Sequence, residues 1–412
     1  MRVVEVDAAG PALASVLVAD AGDRDTDRAL CGILRAVRAH LGMEVGFVSE
    51  FTGTRRIFRC VDAVGPGPVH VGRSDPLEET YCQRVVDGRL PQLIRDAGTV
   101  PAAAELPVTA ALPVGAHLSV PIVLSDGSVY GTFCRFSTEP DHSLTERDLA
   151  VMRAFSEVAA NLIERERDEL RHRQEVRGRI EEALHGDALS IVYQPLVDLE
   201  GMRPVGFEAL ARFREDPPRG PAAWFAEAES VGLARDLELT ALARAVRDLA
   251  SLPSHAFLAV NLSASAVLAE GFEAVLAPAP LDRVVVEITE HSAVAGYDEL
   301  RGRLDELRRE GLRLAVDDAG AGYASFTHIL RLAPDLIKLD MSLTRDIDRD
   351  RAKRHLAAAL IRFGAETGSA IVAEGVETEA ELRTLEGLGV RIAQGFLLGR
   401  PAPLGREAHP TP

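Results

Sequence analysis

Between Asp27 and His40 the apolar residues Leu30, Ile33, Leu34 and Val37 recur at steps of three and four, which predicts an amphipathic helix. Shorter apolar runs at 44–50, 56–61, 117–124 and 129–136 read as strands, and Asp126-Gly127 between the last two predicts a tight hairpin turn. Thr145, with Asp148 three positions on, resembles a capping box and opens a second helix with Val151, Phe155, Val158 and Leu162 on one face. A helix, antiparallel strands and a closing helix indicate an α+β domain over 26–165, after an Ala-, Asp- and Gly-rich arm over 1–25. The closing helix continues through 164–184, with Glu169/Arg173 and Glu175/Arg179 at the favourable four-residue spacing. Its apolar seam has coiled-coil spacing as far as Leu162; beyond that only Leu170, Val176, Ile180 and Leu184 persist, and Gly178 weakens the helix. Two readings stay open for 166–186: a solvated connector, or the stalk of a parallel homodimer that carries a signal. Gly186 is the expected helix stop.

From 187 onward the pattern becomes strand, helix, strand, helix. Apolar runs lie at 189–194, 205–210, 257–260, 284–288, 312–316, 336–339, 370–373 and 390–393, separated for the most part by amphipathic segments such as 222–250 and 297–310. Eight strands alternating with helices match an α/β fold, a (β/α)₈ TIM-like barrel over 187–405, with a short tail at 406–412. Only a short loop around Gly201 joins the first two strands, so they are expected to pair antiparallel, because a parallel crossover needs a dozen residues or more.

The length of 412 residues allows two or three domains, and 47% hydrophobic with 26% charged residues is ordinary for globular chains. A net charge of −17 speaks against a nucleic-acid polymer as partner, which would require a basic stripe. An anionic ligand would need bound cations or a few placed Arg and Lys residues to invert the local field. No apolar run approaches the ~20 residues that cross a bilayer. Glu5, Asp7 and Pro11 interrupt what could otherwise resemble a leader before Ala19-Asp20-Ala21, so no signal peptide is expected. Cys31, Cys60, Cys82 and Cys134 form no C-x-x-C pair and read as small buried residues of a cytoplasmic domain.

Chemistry gathers at the ends of the second group of runs. They lead into or contain Glu208, Asn261, Glu287, Asp317-Asp318, Lys338, Glu374 and Gln394. In such barrels the carboxyl ends of the strands share one face, and that face carries the active site. Oxygen ligands without His or Cys favour Mg²⁺ or Mn²⁺ over softer metals. Crowded carboxylates cannot all stay ionised unless cations sit among them, and adjacent Asp317 and Asp318 suggest two metals.

In order along the chain stand Tyr193-Gln194-Pro195, Glu208-Ala209-Leu210-Ala211-Arg212, Val260-Asn261-Leu262-Ser263 and Glu287-Ile288-Thr289-Glu290. Asp317-Asp318-x-Gly320-x-Gly322-Tyr323, Lys338-Leu339-Asp340, Glu374-Gly375-Val376-Glu377 and Gln394-Gly395-Phe396 follow. This ordered set resembles the EAL-domain cyclic di-GMP phosphodiesterases. The resemblance implies metal-dependent hydrolysis of cyclic di-GMP to linear pGpG, or alternatively a non-catalytic receptor for the same ligand that signals through its dimer. It implies that Glu208, Asn261, Glu287 and Asp317 hold one metal, and Asp317 and Asp318, with Glu374, the other. Lys338 would orient or deprotonate the attacking water, or stabilise the phosphorane. Gln194, Leu210, Arg212 and Gln394 would grip the substrate, Glu290 would anchor the loop after the fifth strand, and Glu377 lies near the second metal with its role open. In that loop Ala319, Ala321 and Ala324 replace the family's usual Phe, Thr and Ser, which bears on how the loop is held rather than on the metal ligands.

The stretches 77–82, 115–122 and 127–132 resemble the GAF family of small-molecule sensors, which implies a regulatory domain with a small-molecule ligand of unknown identity. There is no Cys-His dipeptide to attach a bilin, and His117 on a strand reads as structural rather than as a haem ligand.

Overall fold

A computed structural model of the chain describes residues 26–65, 67, 69–214, 219–288, 296–319 and 323–404, without the side chains of 323–326. The expected arm at 1–25, Glu290, Ala321, the Ala324 side chain and the tail at 406–412 lie outside the described residues. By internal contacts the chain divides into two units, Met1–His172 and Arg173–Pro412.

The first unit is built on strands β1 (Val45–Thr52), β2 (Arg55–Ala63), β3 (Ser74–Pro76), β4 (Leu93–Ile94), β5 (Ala116–Val123) and β6 (Val129–Ser137). They form one antiparallel sheet in the order β3-β2-β1-β6-β5-β4. The β5–β6 turn forms as expected: Gly127 adopts φ 82°, and Asp126 Oδ1 accepts from Ser128 N at 2.8 Å. The helix Thr26–Leu41 and the early part of the helix Glu146–His185 contribute to a core containing Leu30, Leu34, Val120, Phe133 and Met152. A second core brings the short helices Tyr81–Val86, Pro101–Ala104 and Pro107–Ala111 together with Phe47, Phe58, Cys82 and Cys134. These helices, β3 and β4 escape sequence reading because segments of two to six residues are too short to display a period.

Two expectations about this region are corrected. Cys31 and Cys60 are not separate thiols but a disulfide, since the helix Thr26–Leu41 lies against β2 and brings their Cα atoms to 5.6 Å. The pairs Glu169/Arg173 and Glu175/Arg179 give way to other partners. Glu169 lies 4.0 Å from Arg165 on the same helix, and Arg179 reaches Glu227 at 2.6 Å, where tertiary packing offers it a carboxylate on another helix. Val176 and Ile180, read as the remnant of a seam, are buried in the second unit with Trp224 and Leu237.

The second unit contains β7 (Leu189–Asp198), β8 (Arg203–Phe213), β9 (Phe257–Leu262), β10 (Val284–Ile288), β11 (Arg313–Ala319), β12 (Leu336–Leu339), β13 (Ala370–Ala373) and β14 (Ile392–Ala393). They close a barrel in the order β10-β11-β12-β13-β14-β7-β8-β9. All neighbours are parallel except that β7 runs antiparallel to both β8 and β14, as its short connection requires. The amphipathic segment at 222–250 is two helices, Pro221–Ser230 and Ala234–Asp248, because Gly232 takes φ 75° between them and breaks the ladder.

The barrel interior explains where its polar residues end up. Leu196, Phe257, Ala259, Val285, Ala315, Leu336 and Val372 form one buried apolar cluster. Side chains two apart on a strand share a face. The next inward positions are therefore Asn261 after Ala259, Glu287 after Val285, Asp317 after Ala315, Lys338 after Leu336 and Glu374 after Val372. Gly206 precedes Glu208 by the same step, and a Cβ there would meet the Phe257 ring at 2.4 Å, so the side chain that fills this part of the interior comes from β9.

Gly395 has a comparable constraint next to Gln394: a Cβ would sit 2.1 Å from Val376 O. Gly395→Ala should therefore destabilise the barrel by about 3 kcal/mol, the upper end for overpacking, since backbone must move rather than a side chain. Denaturant unfolding followed by the fluorescence of Trp224, the sole tryptophan, measures this. An unchanged midpoint would contradict the close approach.

Candidate active site

The inward positions above the apolar layer converge on one ammonium. Lys338 Nζ lies 2.8 Å from Glu287 Oε2, 2.7 Å from Glu374 Oε1, 3.3 Å from Asp317 Oδ1 and 3.5 Å from Glu208 Oε1. Lys338 is 1% exposed and Glu287 equally so. Such burial is tolerable for a lysine only with anionic partners, and here there are four. Burial opposes its charge, but Glu208, Glu287, Glu374 and Asp317 together hold the ammonium well above the usual lysine range.

Four carboxylates around one cation leave an excess of negative charge, and the acids divide accordingly. Burial, with Glu208 and Asp317 adding repulsion, pushes the Glu287 carboxyl well above the ordinary range despite Lys338. Burial also pushes Glu374 up, again against the pull of Lys338 and with repulsion from Asp317. Glu208 goes the other way: burial opposes its charge, but Lys338, Gln394 and Asn261 outweigh it and lower its pKa. A site that raises the carboxyl pKa of Glu287 and Glu374 is one that a divalent cation would relieve.

The donor set fits such ions. Oxygens of Glu208, Glu287 and Asp317 lie within 4.8 Å of one another, and so do those of Asp317, Asp318 and Glu374. Asp317 belongs to both groups. Asn261 Nδ2 donates to Glu208 Oε1 at 2.6 Å, while its Oδ1 is buried with no hydrogen-bond partner among the described residues. An orphaned buried carbonyl oxygen on a side chain that touches Glu208 is what a hard cation would satisfy. Asp318 sits at φ 55°, a left-handed conformation that costs of order 1–3 kcal/mol in a non-glycine residue. Its own amide donates to Asp317 Oδ1 at 2.9 Å, which ties the bend to the shared carboxylate.

Of the other residues expected in the site, Gln394 and Gln194 join this cluster. Gln394 Nε2 donates to Glu208 Oε2 at 2.6 Å and to Gln194 Oε1 at 2.9 Å, and Gln194 Nε2 donates to Gly399 O at 3.1 Å. Leu210 and Arg212 stand on the extension of β8 and line a neighbouring cavity of about 210 Å³ that Asn261 also borders. Arg212 Nη1 donates to Ala211 O at 2.8 Å. Glu377 is not in the cluster: it pairs with Arg345 at 2.8 Å on the surface.

Three supporting residues were missed in the sequence. Glu381 accepts from the backbone amides of Asp346, Glu377 and Thr378, at 2.9, 3.0 and 2.9 Å, and so fastens the turn that follows Glu374. Its signal was legible, because Thr378-x-x-Glu381 forms a complete capping box. Thr344 Oγ1 donates to the carbonyl of Glu374. Glu238 Oε2 accepts from Ser263 N at 2.7 Å just beyond Asn261, and burial raises its pKa. Nothing local marks these last two.

The family model of the EAL domain matches residues 177–401, and that of a GAF domain matches residues 23–164. Cyclic di-GMP phosphodiesterase NbdA of Pseudomonas aeruginosa is 34% identical over 255 residues, which is 59% of this chain and 32% of that protein. Uncharacterized protein y4lL of Sinorhizobium fredii is 32% identical over 283 residues, 65% of this chain and 34% of its own length. The chain thus spans about a third of the length of these relatives. Among solved structures, PaMucR phosphodiesterase in complex with c-di-GMP shares 30% identity and a TM-score of 0.51, covering 56% of this chain and 98% of that one. EAL enzyme Bd1971, at 19% identity and a TM-score of 0.54 over 69% of this chain and 84% of its own, shares the fold. The match of the EAL model over more than half the chain, onto the barrel that carries the Lys338 cluster, makes the protein a member of the EAL-domain family, with a GAF domain before the barrel in sequence.

Proposed function

We propose that this chain hydrolyses cyclic di-GMP to linear pGpG in a reaction that depends on Mg²⁺ or Mn²⁺. The observation that carries the reading is Asp317 shared between two carboxylate groups around a buried, charged Lys338. Glu208, Asn261, Glu287 and Asp317 would hold one cation; Asp317, Asp318 and Glu374 the other. When bound, such a pair supplies an activated water and neutralises charge on both the attacking and leaving oxygens of an in-line displacement. Lys338, held protonated by its four neighbours, orients the water and stabilises the phosphorane rather than removing a proton. Gln194, Gln394, Leu210 and Arg212 bind the substrate, and Glu290 anchors the loop after the fifth strand. Glu381, through the amides of Glu377 and Thr378, positions the turn that carries Glu374.

Incubation of the chain with cyclic di-GMP and Mg²⁺ or Mn²⁺ should give pGpG by chromatography, and EDTA should stop it. Intact substrate at enzyme concentrations equal to substrate would overturn hydrolysis and leave a receptor.

The division into a sensor at 26–165, a helical linker at 166–186 and a barrel at 187–405 belongs to the same proposal, as do a homodimer, a cytoplasmic place and a small molecule as the sensor's ligand. Among the described residues, no helix is long and apolar enough to cross a membrane. The GAF domain regulates the barrel through the helix Glu146–His185, on which Val151, Phe155, Val158 and Leu162 are only partly buried. A chain that begins at Arg173 should differ several-fold in specific activity from the full chain, a coupling of about 1–3 kcal/mol. Light scattering and turnover measure both parts. A monomeric full chain with the same turnover as the truncated one would remove the regulatory part.

A further inference from the structure

Cys82 and Cys134 remain free thiols, both fully buried, yet they come from different elements and meet directly. Cys82 lies on the helix Tyr81–Val86, Cys134 lies on β6, and their sulfurs are 3.5 Å apart. The surroundings differ from those of an inert buried cysteine. Arg56 is 4% exposed, and its Nη1 approaches Cys82 Sγ at 3.1 Å while Nη2 pairs with Asp75 at 2.7 Å. Its guanidinium also lies over the Phe58 ring at 4.4 Å. A guanidinium buried so deeply demands anions, and besides Asp75 the sulfur is what it faces. Cys134 Sγ is met by Ser119 Oγ at 2.9 Å and Thr132 Oγ1 at 3.0 Å.

Burial alone would raise both thiols. For Cys82 the hydrogen bond with Cys134 and the charge of Arg56 overcome that and lower it, whereas Cys134, beside the Cys82 sulfur, is raised further. The two sulfurs therefore have different surroundings: Cys82 faces the Arg56 guanidinium, whereas Cys134 faces the hydroxyls of Ser119 and Thr132. A cavity of about 210 Å³ is lined by Arg56 and by Thr80, two residues before Cys82, and so comes as near as the guanidinium that faces the Cys82 sulfur. That volume holds several water-sized molecules.

We propose that Cys82 and Cys134 form a redox pair that a peroxide-class oxidant converts to a disulfide within the GAF domain. The Cys82 thiolate attacks one peroxide oxygen; an S–O bond forms, the O–O bond breaks, and the departing hydroxide leaves as water with a proton from solvent. The sulfur of Cys134 then attacks the sulfenic sulfur of Cys82. The S–S bond forms, the S–O bond breaks, and hydroxide with the Cys134 proton leaves as a second water. Two thiols are oxidised by two electrons and one peroxide is reduced to two waters. Forming the bond closes the sulfur separation from 3.5 Å to about 2.0 Å. The inference does not depend on the barrel's reaction.

The test uses the full chain, with thiols rather than activity as the readout. The protein is treated with hydrogen peroxide or left untreated, unfolded in N-ethylmaleimide, digested and mapped by mass. The expected result is loss of maleimide from both cysteines and a linked Cys82–Cys134 peptide lighter by two hydrogens, distinct from the Cys31–Cys60 peptide. Equal labelling of Cys82 and Cys134 with and without peroxide would overturn the proposal. In Cys82→Ser, which fits the same space, Cys134 should keep its label in peroxide. Oxidation of Cys134 as fast as in the unaltered chain would overturn the assignment of Cys82 as the attacking thiolate.

Discussion

Asp317→Asn should lower turnover of cyclic di-GMP on the order of 10³-fold with the fold intact, the scale seen when a group that stabilises transition-state charge is removed. The change keeps volume and shape but removes the one charge that belongs to both oxygen clusters, Glu208–Glu287–Asp317 and Asp317–Asp318–Glu374. It also leaves the Asp318 amide an oxygen to donate to, so the left-handed bend need not change. Calorimetric titration with Mn²⁺ should show weakened binding in the variant, and circular dichroism an unchanged barrel. Turnover near that of the unaltered chain would remove the shared-carboxylate assignment and with it the two-cation reading.

The second large effect is on stability. Lys338→Met in EDTA should destabilise the barrel by about 3–5 kcal/mol, the cost of removing one partner from a buried ionic cluster. Met fills most of the same space, so packing loss is minor; what changes is that Glu208, Glu287, Asp317 and Glu374 lose the cation within 3.5 Å of each. Saturating Mn²⁺ should recover part of that loss, because the added charge takes over the counterion role, while turnover stays lost. Urea midpoints with and without metal, read from Trp224, decide it. Equal midpoints for the variant and the unaltered chain in EDTA would mean that the acids hold themselves apart or protonate without cost.

The order of these two effects reflects how the site is built. Lys338 serves the metal-free fold as a resident counterion, and the raised Glu287 and Glu374 carboxyls mark the negative charge it leaves unbalanced. In the proposed reaction the same ammonium faces the phosphate, so one residue limits both stability and turnover. Asp317 contributes to the second far more than to the first.

The sequence by itself determined the barrel because its information there is local. Three of the strands have the bounds read from the apolar runs, β10, β12 and β13, since a buried parallel strand is one continuous apolar segment ended by a polar residue. The polar residue at each strand end was legible for the same reason, and a period of two places it on the interior face once the strand is known. Tertiary structure alone decided what those residues do to one another. That Lys338 touches four acids depends on a register between strands tens of residues apart in the chain, and that Glu377 turns outward to Arg345 depends on the bend after Glu374. The long helix was legible as a helix but not in its contacts: Arg179 chose Glu227 over Glu175, and Val176 and Ile180 took core positions in the barrel's unit. The cysteines show the limit most plainly. Nothing in their spacing distinguishes Cys31 and Cys60, joined across 29 residues, from Cys82 and Cys134, which meet as free thiols across 52. Pairing across such distances is set by how helices pack on a sheet, and spacing along the chain carries no record of that packing.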